Sequence, residues 1–141
     1  MIILEDPVLS DITEEWHRIK PALVALCQKN HTFELAPEEI YDACCTENAQ
    51  LWITPDGFMV TRFIEDPSYG VGKTLYLWVA ATFDGGRDAG LKYLEFFEGV
   101  AKYMNCQYIE LWSSRPGMER YIARHGFGKF YTAFRKTIDH G

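Results

Sequence analysis

Residues 74–90 read TLYLWVAATFDGGRDAG and carry two signals in succession. The run from Thr74 to Ala81 is almost continuously apolar, which predicts a strand buried on both faces of a sheet. The segment from Asp84 to Gly90 is a glycine-rich turn, in which small residues let backbone N–H groups converge at the start of the next helix. Such a turn can hold a phosphate group, and it can equally be an ordinary strand-to-helix loop.

The turn matches neither of the two common phosphate-binding motifs. No Gly-Lys-Ser/Thr follows it, and its glycines do not have the GxGxxG spacing. The sequence therefore does not predict a P-loop or a dinucleotide-binding fold.

Four elements are predicted after the turn. A long helix runs to about Met104, with an apolar face formed by Leu91, Leu94, Phe97, Ala101 and Met104. Gln107–Trp112 is predicted to be a strand. A short helix begins at Pro116 and ends at His125-Gly126, where the glycine acts as a C-terminal stop. Phe127–Ile138 is predicted to be the last strand.

Two helices and a hairpin are predicted before the buried strand, with a short strand at Ile2–Leu4 at the start of the chain. The first helix spans about 11–29 and has Asp11 as its N-cap. Pro21 lies inside this helix and is predicted to kink it or to mark its true start. The second helix follows Ala36-Pro37 and runs to about Glu47.

The hairpin is predicted from Asp56-Gly57, which separates two β-rich runs at 50–55 and 58–64. Antiparallel strands thus come first, and a β-α-β unit with a right-handed crossover follows. The order predicts an α/β protein with one mixed sheet that is covered by helices on both faces. At 141 residues, we expect a single domain over 1–141.

Composition limits the function. There are 20 acidic and 14 basic residues, so the net charge of −6 argues against a partner that is nucleic acid or an anionic membrane. Neither a signal peptide nor an apolar stretch of about 18 residues is present, which predicts a cytoplasmic protein. The four cysteines are expected to be mostly buried thiols, and the Cys and His spacing predicts no metal site.

Aromatic residues make up 15% of the chain, and most of them fall on predicted strands. A heavily aromatic core explains this surplus, and a subunit or partner surface is the alternative. The long helix poses the same question, because Tyr93, Phe96 and Val100 form a second apolar stripe.

The order of elements resembles the GNAT superfamily of acetyl-CoA-dependent N-acetyltransferases. In that family, a buried strand precedes a Gln/Arg-x-x-Gly-x-Gly/Ala turn whose amides hold the pyrophosphate of coenzyme A. Arg87 and Gly90 fit this pattern, whereas Lys92 replaces its final small residue. The resemblance covers about Leu75–Phe127 and includes the Gly126-Phe127 pair after the short helix.

The resemblance implies that acetyl-CoA or coenzyme A is the cofactor, with no metal. It implies cofactor contacts from the buried strand at Val79, Ala80, Ala81 and Thr82. It also implies contacts from the turn at Arg87, Asp88, Ala89, Gly90, Leu91 and Lys92.

Acyl transfer to an amine requires a base for the amine and an acid for the departing sulfur. The candidate bases are Glu65, Asp66 and Glu110, and the candidate acids are Tyr121, Ser113 and Ser114. Each of these side chains can also be an ordinary solvated or rim residue. The frequent tyrosine of the family corresponds to Ile122. Tyr121 lies one residue earlier, a rotation of about 100° on a helix.

Two functions follow from the resemblance. The first is a GNAT-type N-acyltransferase acting on a small-molecule or peptidyl amine. The alternative is a catalytically degenerate GNAT-like protein that binds a protein partner or forms an assembly, including a homo-oligomer. Bacteriophages encode short proteins of this kind, some among virion genes, and the location would then be the virion or the host cytoplasm. Arg87 with Gly90 favours the enzyme, and Ile122 favours the alternative.

Overall fold

The computed structural model describes residues 5–29, 36–65, 72–84, 91–111, 118–128, 134 and 136–139. In these ranges the strands are β1 (Val8–Ser10), β2 (Gln50–Ile53), β3 (Gly57–Ile64), β4 (Thr74–Thr82) and β5 (Tyr108–Glu110). The helices are α1 (Ile12–Lys29), α2 (Pro37–Cys45), α3 (Leu94–Tyr103) and α4 (Met118–Ala123), and a 3-10 turn at Leu91–Tyr93 leads into α3.

The five strands form one sheet in the order β1-β2-β3-β4-β5. The first four strands pair antiparallel, and β5 joins β4 in parallel after the chain has crossed through α3. This is the mixed sheet that the sequence predicts.

One face of the sheet is covered by α1 and α2. Ile19 and Leu23 of α1 and Ile40 of α2 are fully buried against Phe58 and Val60 of β3. Val79 and Ala81 of β4 belong to the same cluster. The buried side chains of each helix are spaced so that they lie on one face of the helix, and this face packs against the sheet.

The opposite face is covered by α3. Leu94, Phe97 and Ala101 pack against Leu75 and Leu77 of β4. Because β4 contributes to both clusters, the prediction of a strand buried on both faces is confirmed, as are helices on both sides of the sheet.

The second apolar stripe of the α3 region also packs inward. Tyr93 is 3% exposed, and Phe96 and Val100 pack against the cluster under α3. The Phe96 ring meets Trp52 edge to face, with 5.6 Å between the ring centroids. Core packing therefore accounts for this stripe.

The start of α1 agrees with the predicted cap. Asp11 accepts hydrogen bonds at Oδ1 from the Thr13 backbone N–H (2.9 Å) and from the Thr13 hydroxyl (2.7 Å), and these bonds lower the pKa of Asp11. Pro21 lies within the helix, ten residues after Asp11, so the idea that Pro21 marks the true start is wrong.

The hairpin between β2 and β3 is confirmed, but its turn is centred one residue earlier than Asp56-Gly57. The Thr54 N–H donates to the Gly57 carbonyl oxygen at 2.9 Å, which makes Pro55 and Asp56 the central residues. Gly57 is required by close packing, since a Cβ there would lie 2.1 Å from the Ala81 carbonyl oxygen.

Three other expectations have different outcomes. The strand expected at Ile2–Leu4 lies outside the described residues, and an edge strand that was not predicted is found at Val8–Ser10. Of the strand expected at 127–138, the described residues are not in a strand, and Phe134 is 93% exposed. The four cysteines are free but not mostly buried: Cys45 is exposed and the other three are half-buried.

Candidate functional site

The first feature of the site is the point at which the described pairing between two parallel strands ends. β5 pairs with β4 at Thr74, Leu75 and Tyr76, and β4 then continues to Thr82. No described strand continues this pairing along residues 77–81. In an antiparallel ladder, alternate residues direct their N–H and C=O groups away from the partner strand. Some N–H and C=O groups of residues 77–81 are therefore directed away from β3, on the side where β5 pairs with Thr74, Leu75 and Tyr76.

A bulge in β4 lies close to this point. Val60 of β3 faces Val79 while Thr61 faces Leu77, so Trp78 is an extra residue in β4. A bulge bends its strand and increases the local twist. Trp78 lies two residues after the last described pair with β5, so the bend in β4 falls just beyond that pairing.

A polar row crosses the sheet at the same level. Tyr76 is paired in register with Arg62 of β3 and with Glu110 of β5. All three lie on the face of α1 and α2, because their neighbours Leu75 and Ile109 pack under α3. The Arg62 guanidinium carbon lies 4.7 Å from the centroid of the Trp78 ring.

Burial controls the chemistry of Tyr76. The residue is 6% exposed, and burial raises the pKa of its phenol to about 12, against an opposing effect of the Arg62 charge. Tyr76 is therefore a neutral hydroxyl at physiological pH. Glu110 beside it is half-buried.

The second feature is a cluster around Asp56, which lies near Thr82 at the end of β4 that is far from the pairing with β5. The Asp56 carboxylate forms an ion pair with Lys92 and accepts hydrogen bonds from the Tyr93 hydroxyl (3.1 Å) and the Thr54 hydroxyl (3.1 Å). Its backbone oxygen accepts from the Phe83 N–H at 2.9 Å. The Lys92 hydrogen bond is the largest of the effects that lower the pKa of Asp56, which keeps the carboxylate ionised.

The structure describes part of the predicted cofactor site. Val79, Ala80, Ala81 and Thr82 lie together on β4 beyond the bulge, and Leu91 and Lys92 lie in the 3-10 turn before α3. Arg87, Asp88, Ala89 and Gly90 lie outside the described residues.

The predicted catalytic residues are not all brought together. Glu65 directly follows Ile64, which pairs with Thr74 at the first residue of β4. It is therefore separated from Thr82 by the length of β4, roughly 25 Å at about 3.3 Å per residue. Tyr121 lies in α4, but its side chain is not described, and Ser113, Ser114 and Asp66 lie outside the described residues.

Sequence reasoning missed three residues that the structure brings into the site. Only the strand register shows that Tyr76 and Arg62 lie side by side. The alternation of Leu75, Tyr76 and Leu77 in the sequence could have indicated that Tyr76 faces away from α3. Asp56 was interpreted only as a turn residue. Its partner Lys92 is 36 residues away, and no local pattern indicates that contact.

A cleft of about 280 Å³ adjoins the Asp56 cluster and is lined by Asp6, Lys92, Tyr93, Glu95 and Phe96. Within the described residues, no group of three or more His, Cys, Asp or Glu side chains could hold a metal ion. No described helix is long and apolar enough to span a bilayer.

Solved structures share this fold. A structure described as a probable acetyltransferase superposes with a TM-score of 0.69 at 11% identity, covering 97% of this chain and 99% of that one. A ribosomal-protein-alanine N-acetyltransferase from Brucella melitensis biovar Abortus 2308 gives 0.67 at 12% identity, covering 95% and 100%. An aminoglycoside acetyltransferase from an uncultured soil metagenomic sample, in complex with sisomicin, gives 0.63 at 10% identity, covering 95% of each chain.

The fold is thus that of the GNAT acetyltransferases, as the resemblance in sequence implies. No family model matches the sequence, and no curated protein matches it.

Proposed function

We propose that this protein is an acetyl-CoA-dependent N-acyltransferase that acts on an amine. The observation that carries the proposal is the bulge of β4 at Trp78, just beyond the last described pair with β5 at Tyr76, in a fold shared with acetyltransferases. The edge of β4 fits an extended ligand that contains amide groups, because its backbone donors and acceptors can pair with such a ligand as a strand would.

Each part of the cofactor is assigned a segment of the chain. Residues Val79–Thr82 pair with the pantetheine arm. The turn from Arg87 to Lys92 holds the pyrophosphate through backbone N–H groups and two cationic side chains. Acetyl-CoA supplies an acyl group activated as a thioester, and a backbone N–H of the β4 edge donates to the carbonyl oxygen of that group as negative charge develops there.

Glu110 is the base in this proposal. It is half-buried on the same row as Tyr76, and of the two predicted bases that the structure describes it lies closer in register to the bulge than Glu65 does. The ammonium group of the acceptor first loses one proton to solvent, and the Glu110 carboxylate then accepts the second proton that the nitrogen loses as it attacks the acyl carbon. Tyr121 donates a proton to the departing thiolate sulfur, so the products are an amide and a thiol.

The acceptor is proposed to be a cationic amine. The chain carries a net charge of −6, which favours a positively charged partner. One of the structural neighbours, the aminoglycoside acetyltransferase, was solved with sisomicin bound. A peptidyl amine has the same reactive group and is the other acceptor of this class.

The test is isothermal titration with coenzyme A and acetyl-CoA, followed by a thiol-release assay over a panel of polyamines, aminoglycosides and peptides. Gly90→Trp is expected to abolish binding by filling the turn. Gly99→Trp is the matched control, because a Cβ at Gly99 meets nothing within 4 Å. Absence of binding at millimolar ligand would contradict the proposal.

Catalysis is tested separately from binding. Glu110→Gln is expected to lower kcat by about 100-fold while the Kd for acetyl-CoA stays within about twofold. Binding without thiol release for every amine in the panel would instead favour the alternative, a degenerate GNAT-like protein with a binding or assembly role.

A further inference from the structure

Arg62 carries a half-buried positive charge on the face of the sheet that α1 and α2 cover. Its guanidinium carbon lies 4.7 Å from the centroid of the Trp78 ring, so the side chain extends from its own row toward the bulge of β4. The same row contains Tyr76 and, one strand further across, Glu110. The charge therefore lies on the side of the sheet where the proposed function places the reacting amine.

Arg62 differs from the other cations that lie over aromatic rings in the described part of the chain. No described carboxylate forms an ion pair with Arg62, and no described residue accepts a hydrogen bond from its guanidinium. Each of the other three cations has an oxygen partner: Arg18 pairs with Glu15 at 3.6 Å, Lys92 pairs with Asp56, and Lys73 donates to the Met104 carbonyl oxygen at 3.2 Å.

A guanidinium that stacks on a ring still has its hydrogen-bond donors. Stacking occupies the flat face, whereas the five N–H groups lie around the edge in a fork that matches a carboxylate. Tyr76 does not neutralise the charge, because burial raises the pKa of its phenol to about 12. Since a half-buried charge is normally paired, Arg62 has the chemistry of a binding site for an anionic group.

The row also sets how far this anionic group lies from the reacting nitrogen. Arg62 and Glu110 are two strands apart, which places their Cα atoms roughly 10 Å from each other. A ligand that contacts both side chains must therefore have its amine several bonds from its anionic group. The proposed function assigns the cofactor phosphates to the other end of β4, so the acceptor is the source of the anion.

We propose that Arg62 determines acceptor specificity: its guanidinium binds a carboxylate of the acceptor, which is an amino acid that reacts at an amine several bonds away from that carboxylate. This inference rests on the proposed function, which places the reacting amine beside Glu110. An amino acid with a side-chain amine, such as lysine, has both groups and is still a cation overall.

The preference between two closely related amines separates this proposal from general electrostatics. Cadaverine is lysine without its carboxylate and carries the greater positive charge. The net charge of −6 alone would favour cadaverine, whereas a carboxylate site at Arg62 favours lysine. Lysinamide keeps the size of lysine and removes only the anion, so it is expected to behave like cadaverine.

The first experiment measures thiol release from acetyl-CoA with lysine, lysinamide and cadaverine. We expect kcat/KM for lysine to exceed the other two values by about tenfold in the wild type. Arg62→Met is expected to lower kcat/KM for lysine about 30-fold, through KM, and to leave cadaverine within about twofold. Arg62→Lys keeps the charge without the fork, and a loss of about fivefold is expected.

Arg18→Met is the matched control, because Arg18 also lies over an aromatic ring, at 4.4 Å from the Phe83 centroid, and already pairs with Glu15. It is expected to leave the kinetics of all three amines unchanged. Equal losses for lysine and cadaverine in Arg62→Met would show that Arg62 only supports the packing of Trp78, which contradicts the proposal. A wild type that prefers cadaverine contradicts it without any variant.

A second measurement follows binding without catalysis. The protein is titrated with lysine and with cadaverine while the arginine Nε–Hε NMR signals are recorded, and the Arg62 signal is the one missing from Arg62→Lys. We expect a saturable shift of this signal with lysine and none with cadaverine. The same response to both amines, or none to lysine, would contradict the carboxylate site.

The two measurements distinguish this inference from the proposed function. Absence of thiol release with every amine contradicts the proposed function, and a saturable shift of the Arg62 signal with lysine would still support the carboxylate site. Thiol release with other amines, but no lysine preference and no shift, contradicts only the role of Arg62. Neither release nor shift contradicts both.

Discussion

Thr61 is a polar residue that is fully buried in the middle of the sheet. Its hydroxyl accepts from the Trp52 Nε1–H at 2.8 Å and donates to the Gln50 side-chain oxygen at 2.9 Å. These two bonds compensate for the desolvation that burial of a hydroxyl entails. Thr61 therefore fixes the Trp52 ring, which in turn packs against Phe96 and Phe97 of α3.

Thr61→Val is predicted to lower the free energy of unfolding by about 1–3 kcal/mol, because it leaves the indole N–H buried without its acceptor. Urea unfolding measures the loss. The control is a double-mutant cycle with Trp52→Phe, which removes the orphaned donor. Strict additivity of the two substitutions, within about 0.3 kcal/mol, would contradict the coupling.

Gly57→Ala is predicted to destabilise the protein by about 1–3 kcal/mol, since the added Cβ overlaps the backbone of β4. Gly99→Ala is the matched control. It lies on the exposed face of α3 with open space around it and is predicted to stabilise the protein by up to about 1 kcal/mol. Equal stabilities for Gly57→Ala and the wild type would show that the hairpin tip is not packed as described.

At the scale of elements, the β2–β3 hairpin is held to α3 through an ionised carboxylate. The pKa of Asp56 is lowered chiefly by its hydrogen bond with Lys92, with weaker lowering from Thr54 and Tyr93. A group whose folded pKa is lowered stabilises the folded state above its unfolded pKa, and this contribution is lost as the pH falls through the folded pKa. The contribution is modest because the ion pair is about one-third exposed.

The wild type is predicted to be more stable than Asp56→Asn near neutral pH, and this difference is predicted to vanish as the pH falls below the ordinary value of 3.8 toward the lowered pKa. Urea unfolding between about pH 2 and pH 6 follows the difference. Molar salt is expected to reduce it by screening the ion pair. A difference that is constant across this range would contradict the assignment.

The elements that sequence predicted well are those with long, regular patterns. α1, the hairpin and β4 have clear helical or strand spacing, and the parallel β4–β5 pair follows from the β-α-β order. β1 was missed because it is only three residues long and its Val8 and Leu9 side chains are largely exposed. Phe134 and Ile138 favoured a final strand by residue type, but both side chains are exposed and the described residues around them are not in a strand.

Predictions for the site were likewise limited to what local residue patterns can indicate. The position of Val79–Thr82 on a strand was predicted, because a long apolar run precedes a glycine-rich turn, and their contact with the cofactor stays a prediction. Glu65 looked equivalent to Glu110 in sequence, and only the β3–β4 register separates it from the end of β4. Long-range partners such as Asp56 and Lys92 depend on how elements pack, which residue patterns do not encode.

At the scale of the whole molecule, helices cover both faces of a sheet in which the described pairing of β5 with β4 ends at Tyr76. The chain carries a charge of −6, while the proposed cofactor is itself an anion. Binding must then depend on local groups, namely the edge of β4, the N–H groups before α3, and the side chains of Arg87 and Lys92. The acidic remainder of the surface favours the proposed cationic acceptor.

The most direct test of this account is a titration of the ¹⁵N-labelled protein with acetyl-CoA, followed by backbone amide NMR. We predict saturable shifts at Val79–Thr82, at Leu91–Tyr93 and at Glu110, with the α2 amides unchanged. Gly90→Trp is expected to abolish these shifts. No shifts at millimolar acetyl-CoA would contradict the central claim, which is that the part of β4 beyond its pairing with β5 binds the cofactor. Shifts that map to α2 and leave β4 unchanged would contradict it as well.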